Sequence, residues 1–117
     1  RGSVLWARQQ FEEAVVVYRQ GIELTSEPTV LSTMYTGLGN ALDDNGSLED
    51  AIDAYRRAIE IESDNGIAHF DLAIALYRQG QLDEAIQECR LAIQLAPNYD
   101  APKELLKELE QKQSLQE

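Results

Sequence analysis

Three stretches of this chain repeat one another in kind, column by column. They read QFEEAVVVYRQGIEL from Gln10, SLEDAIDAYRRAIEI from Ser47 and QLDEAIQECRLAIQL from Gln81. Such a short repeat cannot bury its apolar face within one copy, so the chain must stack its copies on each other. The first apolar column holds Phe11, Leu48 and Leu82. An acidic pair follows in each copy, and then a small residue at Ala14, Ala51 and Ala85. Val15, Ile52 and Ile86 come next, then Tyr18, Tyr55 and Cys89. A second small column runs through Gly21, Ala58 and Ala92, and Ile22, Ile59 and Ile93 close the face with Leu24, Ile61 and Leu95. Apolar spacings of three, four and seven are a helix period. The step is 34 residues from Ala51 to Ala85 and 37 from Ala14 to Ala51, which puts three extra residues near Thr25 to Leu31.

A second helix precedes each of the later copies. Met34, Tyr35, Leu38 and Leu42 mark one, from about Val30 to Asp44, and His69, Leu72, Ala73 and Leu76 mark the other, from about Gly66 to Gln79. Gly46 and Gly80 follow them, where a left-handed residue ends a helix cheaply. Ser47 is placed to cap the next helix, with Asp50 three residues on. Asn45-Gly46 and Asn65-Gly66 resemble hairpin turns in isolation, but their flanks are helix-periodic, so both read as turns between helices. Beyond Tyr99 the pattern changes. Asp100 and Pro102 suit a helix start, and Leu105, Leu106 and Leu109 form one apolar stripe. This reads as a terminal capping helix whose end, Gln113 to Glu117, is expected to fray.

The run Tyr35-x-x-Leu38-Gly39-x-x-Leu42, then Gly46, Ala51, Tyr55 and Ala58, resembles the tetratricopeptide repeat. The next unit matches with Leu72, Ala73, Leu76, Gly80, Ala85, Ala92 and Pro97. Cys89 stands where the family usually has an aromatic, and Ser63 where it usually has a proline. The resemblance covers Gly2 to about Tyr99. It implies an all-α, right-handed superhelical solenoid of antiparallel helix pairs, with the C-terminal capping helix added. The expected organisation is a single domain: a truncated first repeat over 1–28, repeats over 32–65 and 66–99, and a cap and tail over 100–117. The leading helix of the first repeat would begin before Arg1. The small columns are expected to let paired helices nest, with Gly39 or Ala73 facing Ala51 or Ala85.

The resemblance also implies a function: holding a segment of a partner protein in a concave groove lined by the first helix of each pair. On the second unit the groove residues would be Thr33, Thr36, Asn40, Asp43 and Asp44, and on the third Ile67, Phe70, Ile74, Tyr77 and Arg78. Trp6 is the contribution expected of the first. Phe70 and Ile74 would anchor an apolar side chain, Asn40 a peptide backbone, and Asp43 and Asp44 a basic flank. Equally open is that Phe70, Ile74 and Tyr77 pack against neighbouring helices. Some family members clamp the terminal carboxylate of heat-shock chaperone tails with lysine, arginine and asparagine. The matching positions here hold Ser3, Gly37, Ile67 and Asp71, none of them positive, so chaperone-tail binding is not expected. Two rival functions are self-assembly through Val4, Leu5 and Trp6, and service as a regulatory or targeting domain of a larger enzyme.

Charge narrows the partners. Ten basic and 21 acidic residues give a net charge of −11, which repels nucleic acid and anionic membrane surfaces. Cys89, the only cysteine, has no disulfide partner and lies in a core column. His69, the only histidine, lies in a packing column and reads as structural. No cysteine–histidine cluster has metal spacing. The Asp43, Asn45, Ser47, Glu49 alternation lacks the glycine of a calcium loop. Asn45-Gly46-Ser47 fits a glycosylation sequon by composition alone. The acidic pairs Glu12-Glu13, Glu49-Asp50 and Asp83-Glu84 suit the positive end of a helix dipole better than acid–base chemistry. No enzyme activity, cofactor or metal is therefore expected, and the cytoplasm is the default setting.

Overall fold

The computed structural model describes the backbone of residues 2–116 and the side chains of residues 9–116. It contains six helices: α1 (Gly2–Leu24), α2 (Pro28–Asp44), α3 (Leu48–Ile61), α4 (Gly66–Arg78), α5 (Leu82–Leu95) and α6 (Ala101–Gln116). No strand occurs among the described residues. The chain forms two compact units, Arg1–Ser63 and Asp64–Glu117. Their boundary falls at the junction of the second and third repeats, within the span expected to be a single domain.

The glycine turns arise as the sequence requires. Gly46 has φ +88° and Gly80 φ +91°, a region that L-residues with a side chain avoid. At the first turn Gly46 N–H donates to Asp43 O at 3.0 Å and Ser47 N–H to Leu42 O at 2.8 Å. The second repeats the pattern, with Gly80 to Tyr77 O at 3.0 Å and Gln81 to Leu76 O at 2.9 Å. Crossed bonds of this kind satisfy the last carbonyls of α2 and α4. Asn65-Gly66 works differently. Asn65 caps α4 by accepting from Ala68 N–H at 3.0 Å, and Gly66 is already helical. Ser47 holds the N-cap position of α3 without a side-chain cap bond. The first-turn charges Glu49 and Asp50 complement the helix dipole there.

Two expectations change. Position 9, which aligns with Gly46 and Gly80, is a glutamine. No left-handed turn forms there, and α1 runs unbroken for 23 residues. The three extra residues near Thr25 fall in α2, which gains one more because the loop before it is a residue shorter, and so has 17 residues against 13 in α4.

In the first unit α2 packs against both α1 and α3. Ala51 and Ala58 are fully buried, and Tyr55 is 1% exposed. The Tyr55 ring lies against Gly39, where a Cβ would stand 2.5 Å from it. Gly39 therefore makes room for Tyr55, a partner the small-column argument had not named. Tyr18, in the same column as Tyr55, lies instead on Gly37 of α2. Ser32 is buried and donates to Ala58 O at 3.1 Å, closing the end of α3.

In the second unit α5 packs between α4 and α6. Ala73, Leu76, Ala85, Cys89 and Ala92 are all 0% exposed. Gly66 fits closely, since a Cβ there would meet Ala96 Cβ at 3.1 Å. The cap is well seated: Leu109 is 0% exposed, and Pro102 is among the largest fully buried residues. Of the tail from Gln113 to Glu117, the described residues are helical to Gln116, and Gln113 Nε2 donates to Asp83 Oδ1 at 3.0 Å; Glu117 lies outside the described residues. Arg90 adds a bond to Glu110 at 3.1 Å.

Candidate partner-binding faces

The first unit offers one side of α2. Asn40 and Asp44 are exposed and Asp43 is half-buried. Thr33 is also exposed, but its hydroxyl turns back to Thr29 O at 2.9 Å. Thr36 is only 7% exposed, and its hydroxyl donates to Ser32 O at 2.9 Å. Little of its side chain is left for a partner to touch. Asn40 is held by its neighbour: the Tyr55 hydroxyl donates to Asn40 Oδ1 at 2.6 Å.

The second unit offers one side of α4. Ile67 is 55% exposed, Arg78 is exposed, and Phe70, Ile74 and Tyr77 are half-buried. Phe70 meets Tyr99 edge to face, with ring centroids 5.5 Å apart. Tyr77 lies under the Lys112 ammonium at 5.8 Å. A hydrogen bond from Lys112 to Tyr77 helps hold the lysine pKa above its usual value. The aromatic side chains of α4 thus serve partly as seating for the segment from Tyr99 through α6. Sequence spacing did not reveal this, since Tyr99 is the final residue of the last repeat and Lys112 lies beyond it. Trp6, Val4, Leu5 and Ser3 have side chains outside those described. Among the described residues of α1, Val16 is 52%, Val17 64% and Leu24 87% exposed.

The remaining polar candidates are structural. His69 is 5% exposed, with Nδ1 2.6 Å from Glu88 Oε1. Cys89 donates from its buried thiol to Pro102 O at 2.9 Å. Burial, with a smaller contribution from the Glu110 charge, pushes its pKa from 9.0 up to about 11. The folded chain therefore keeps this proton more tightly than the unfolded chain. Below about pH 9 both states are protonated and stability is unaffected. Between about pH 9 and 11 the unfolded thiol ionises first, so stability falls across that window. Denaturant melts at pH 8 and pH 10.5, with Cys89→Ala as the reference, are expected to show this loss in the native chain alone. Asn45 is half-buried, with its Oδ1 enclosed. Among the described residues no group of three or more histidine, cysteine, aspartate or glutamate side chains gathers to hold a metal, and no helix is long and apolar enough to cross a membrane.

Known proteins resemble this chain. A TPR repeat-containing protein of Methanocaldococcus jannaschii is 36% identical over 78 residues, 64% of this chain and 13% of the relative. A TPR repeat-containing thioredoxin of Arabidopsis thaliana is 34% identical over 61 residues, 52% of this chain and 9% of that one. The chain thus spans only a small part of either relative. Among solved structures, the first TPR of Spaghetti (RPAP3), bound to the HSP90 peptide SRMEEVD, superposes with a TM-score of 0.82. That likeness covers 97% of this chain and 87% of the other at 17% identity, and it supports the all-α helical-solenoid class. The profile of the tetratricopeptide repeat matches residues 1–61 and again 36–100. With helix pairs nested through small residues and two matched glycine turns, this chain belongs to the tetratricopeptide-repeat family.

Proposed function

We propose that the chain is a protein–protein interaction module that holds a peptide or helix of a partner, without catalysing a reaction on it. The observation that carries this reading is that the leading helix of each unit, taken by itself, presents exposed side chains. Asn40, Asp43 and Asp44 on α2 offer hydrogen bonds and negative charge, and Ile67, with part of Phe70, Ile74 and Tyr77, offers apolar surface on α4. The fitting partner is an apolar segment with a basic flank, in keeping with the net charge of −11. The setting is the cytoplasm, where a single thiol needs no disulfide partner. The RPAP3 domain was solved with an HSP90 peptide, but an acidic chaperone tail does not suit this chain. Of the positions matching the clamp, Ile67 and Asp71 carry no positive charge. Gly37 has no space for a side chain either, since a Cβ there would stand 2.6 Å from the Tyr18 ring.

Ile67→Glu is the cleanest test. Ile67 is 55% exposed and sits in the first turn of α4, where a negative charge is tolerated or slightly favourable. We expect an unchanged melting temperature and a loss of affinity for a peptide selected from a random display library. Phe70→Glu should lower both affinity and stability, because it also breaks the contact with Tyr99. If Ile67→Glu binds the peptide as the native chain does, α4 is not the binding face. A second reading, self-assembly, draws on the exposed Val16, Val17 and Leu24 of α1. Light scattering across a concentration series separates the two, since an assembling chain gains mass with concentration and a monomeric adaptor does not.

A further inference from the structure

Three positions change together between the two complete repeats. The second repeat has Gly39, Asn40 and Tyr55, and the third, 34 residues on, has Ala73, Ile74 and Cys89. In the second repeat these residues form one device. Tyr55 is 1% exposed and its ring is pressed on Gly39, so the hydroxyl has a fixed position. From there it donates to Asn40 Oδ1 at 2.6 Å. The acceptor is the Asn40 side-chain oxygen, at a length usual for a short O–H···O bond. The Asn40 oxygen therefore faces Tyr55, and the amide nitrogen, with two donors, is left to the exposed side. In the third repeat Cys89 has no hydroxyl for this purpose and donates to Pro102 O instead. The glycine there has become alanine and the asparagine isoleucine.

We propose that Tyr55 is a positioning residue that orients the Asn40 amide, so that the α2 face recognises a carbonyl oxygen of the partner's backbone and rejects an N–H. An unheld asparagine flips to suit either. Asp43 and Asp44 lie one turn further along α2, and their charge disfavours a carboxylate as the acceptor. This inference rests on the peptide-binding reading above and adds the polarity of one contact to it.

The test combines a partner-free readout with a binding one. The side-chain carbonyl resonance of Asn40 is followed by NMR in the native chain and in Tyr55→Phe. A heptapeptide panned on the native chain from a random display library is then measured against both, as the natural peptide and as a series with single backbone esters. Tyr55→Phe is expected to shift the Asn40 resonance and weaken the peptide by about 3–10-fold, the range of one neutral hydrogen bond. Asn40→Ala should weaken it similarly, with no further loss on adding Tyr55→Phe. One ester position should cost affinity with the native chain and not with Asn40→Ala. Asn40→Asp keeps the acceptor for Tyr55, deletes both donors, and should lose at least as much. An unmoved Asn40 resonance overturns the positioning role. Losses that add in full when Tyr55→Phe and Asn40→Ala are combined overturn it as well, since the hydroxyl would then act through the fold. A library that yields no binder overturns the peptide reading and carbonyl recognition together, while the Asn40 resonance still decides whether Tyr55 sets the amide.

Discussion

Leu109→Ala is expected to destabilise the second unit by about 2–5 kcal/mol, the range for emptying a leucine site in a packed core. Leu109 is 0% exposed, although it belongs to a helix whose surface is mostly charged or amide. Leu105 and Leu106 in the same stripe are only half-buried, so Leu109 carries most of the apolar docking of α6. The effect should be largest on the second unit, because α6 packs against α5. For a unit of this size each kcal/mol lowers the melting temperature by about 4–8 °C, so a fall of about 10 °C or more is expected in a thermal melt. Leu115→Ala is the control. Leu115 is 86% exposed and its removal should change little. Equal melts for the two variants would mean that α6 is not held by its leucines.

Ala85→Leu is expected to cost about 1–3 kcal/mol by overpacking. Ala85 and its counterpart Ala51 are both 0% exposed, each on the second helix of a pair. The pairs α2 with α3 and α4 with α5 approach closely through these small residues, and a leucine in either forces its helix outward. The two substitutions fall in different compact units, so each should show mainly in its own unit when followed by amide exchange residue by residue. An unchanged melting temperature in both variants would contradict the nesting of the helices.

Much of this architecture was legible in the sequence because it repeats. Comparing columns separates a packing position from an accidental apolar residue, which is how Ala51, Ala58, Ala85, Ala92 and the turn glycines Gly46 and Gly80 identified themselves. Contacts that occur once were harder to read. Phe70 on Tyr99 and Tyr77 under Lys112 involve the end of the last repeat and the helix beyond it, and neither contact has a second copy to compare. The burial of Thr36 was hard to read for a different reason. Helical spacing put it beside Thr33 and Asn40, but a threonine hydroxyl can satisfy itself on the carbonyl four residues back and so tolerate burial. The unbroken α1 was visible in principle, since Gln9 stands in the glycine column. Reading it required giving weight to a missing residue type rather than to a present one.

The place of Cys89 gives the chain a chemical clock. Its sulfur is sealed beneath the carbonyl of Pro102, in the opening turn of α6. An alkylating reagent must wait for the fold to open around it, so the labelling rate at neutral pH reports the open population, or the opening rate itself where alkylation outpaces reclosure. One native thiol, with no engineered probe, thereby reports how readily the fold around it lets go.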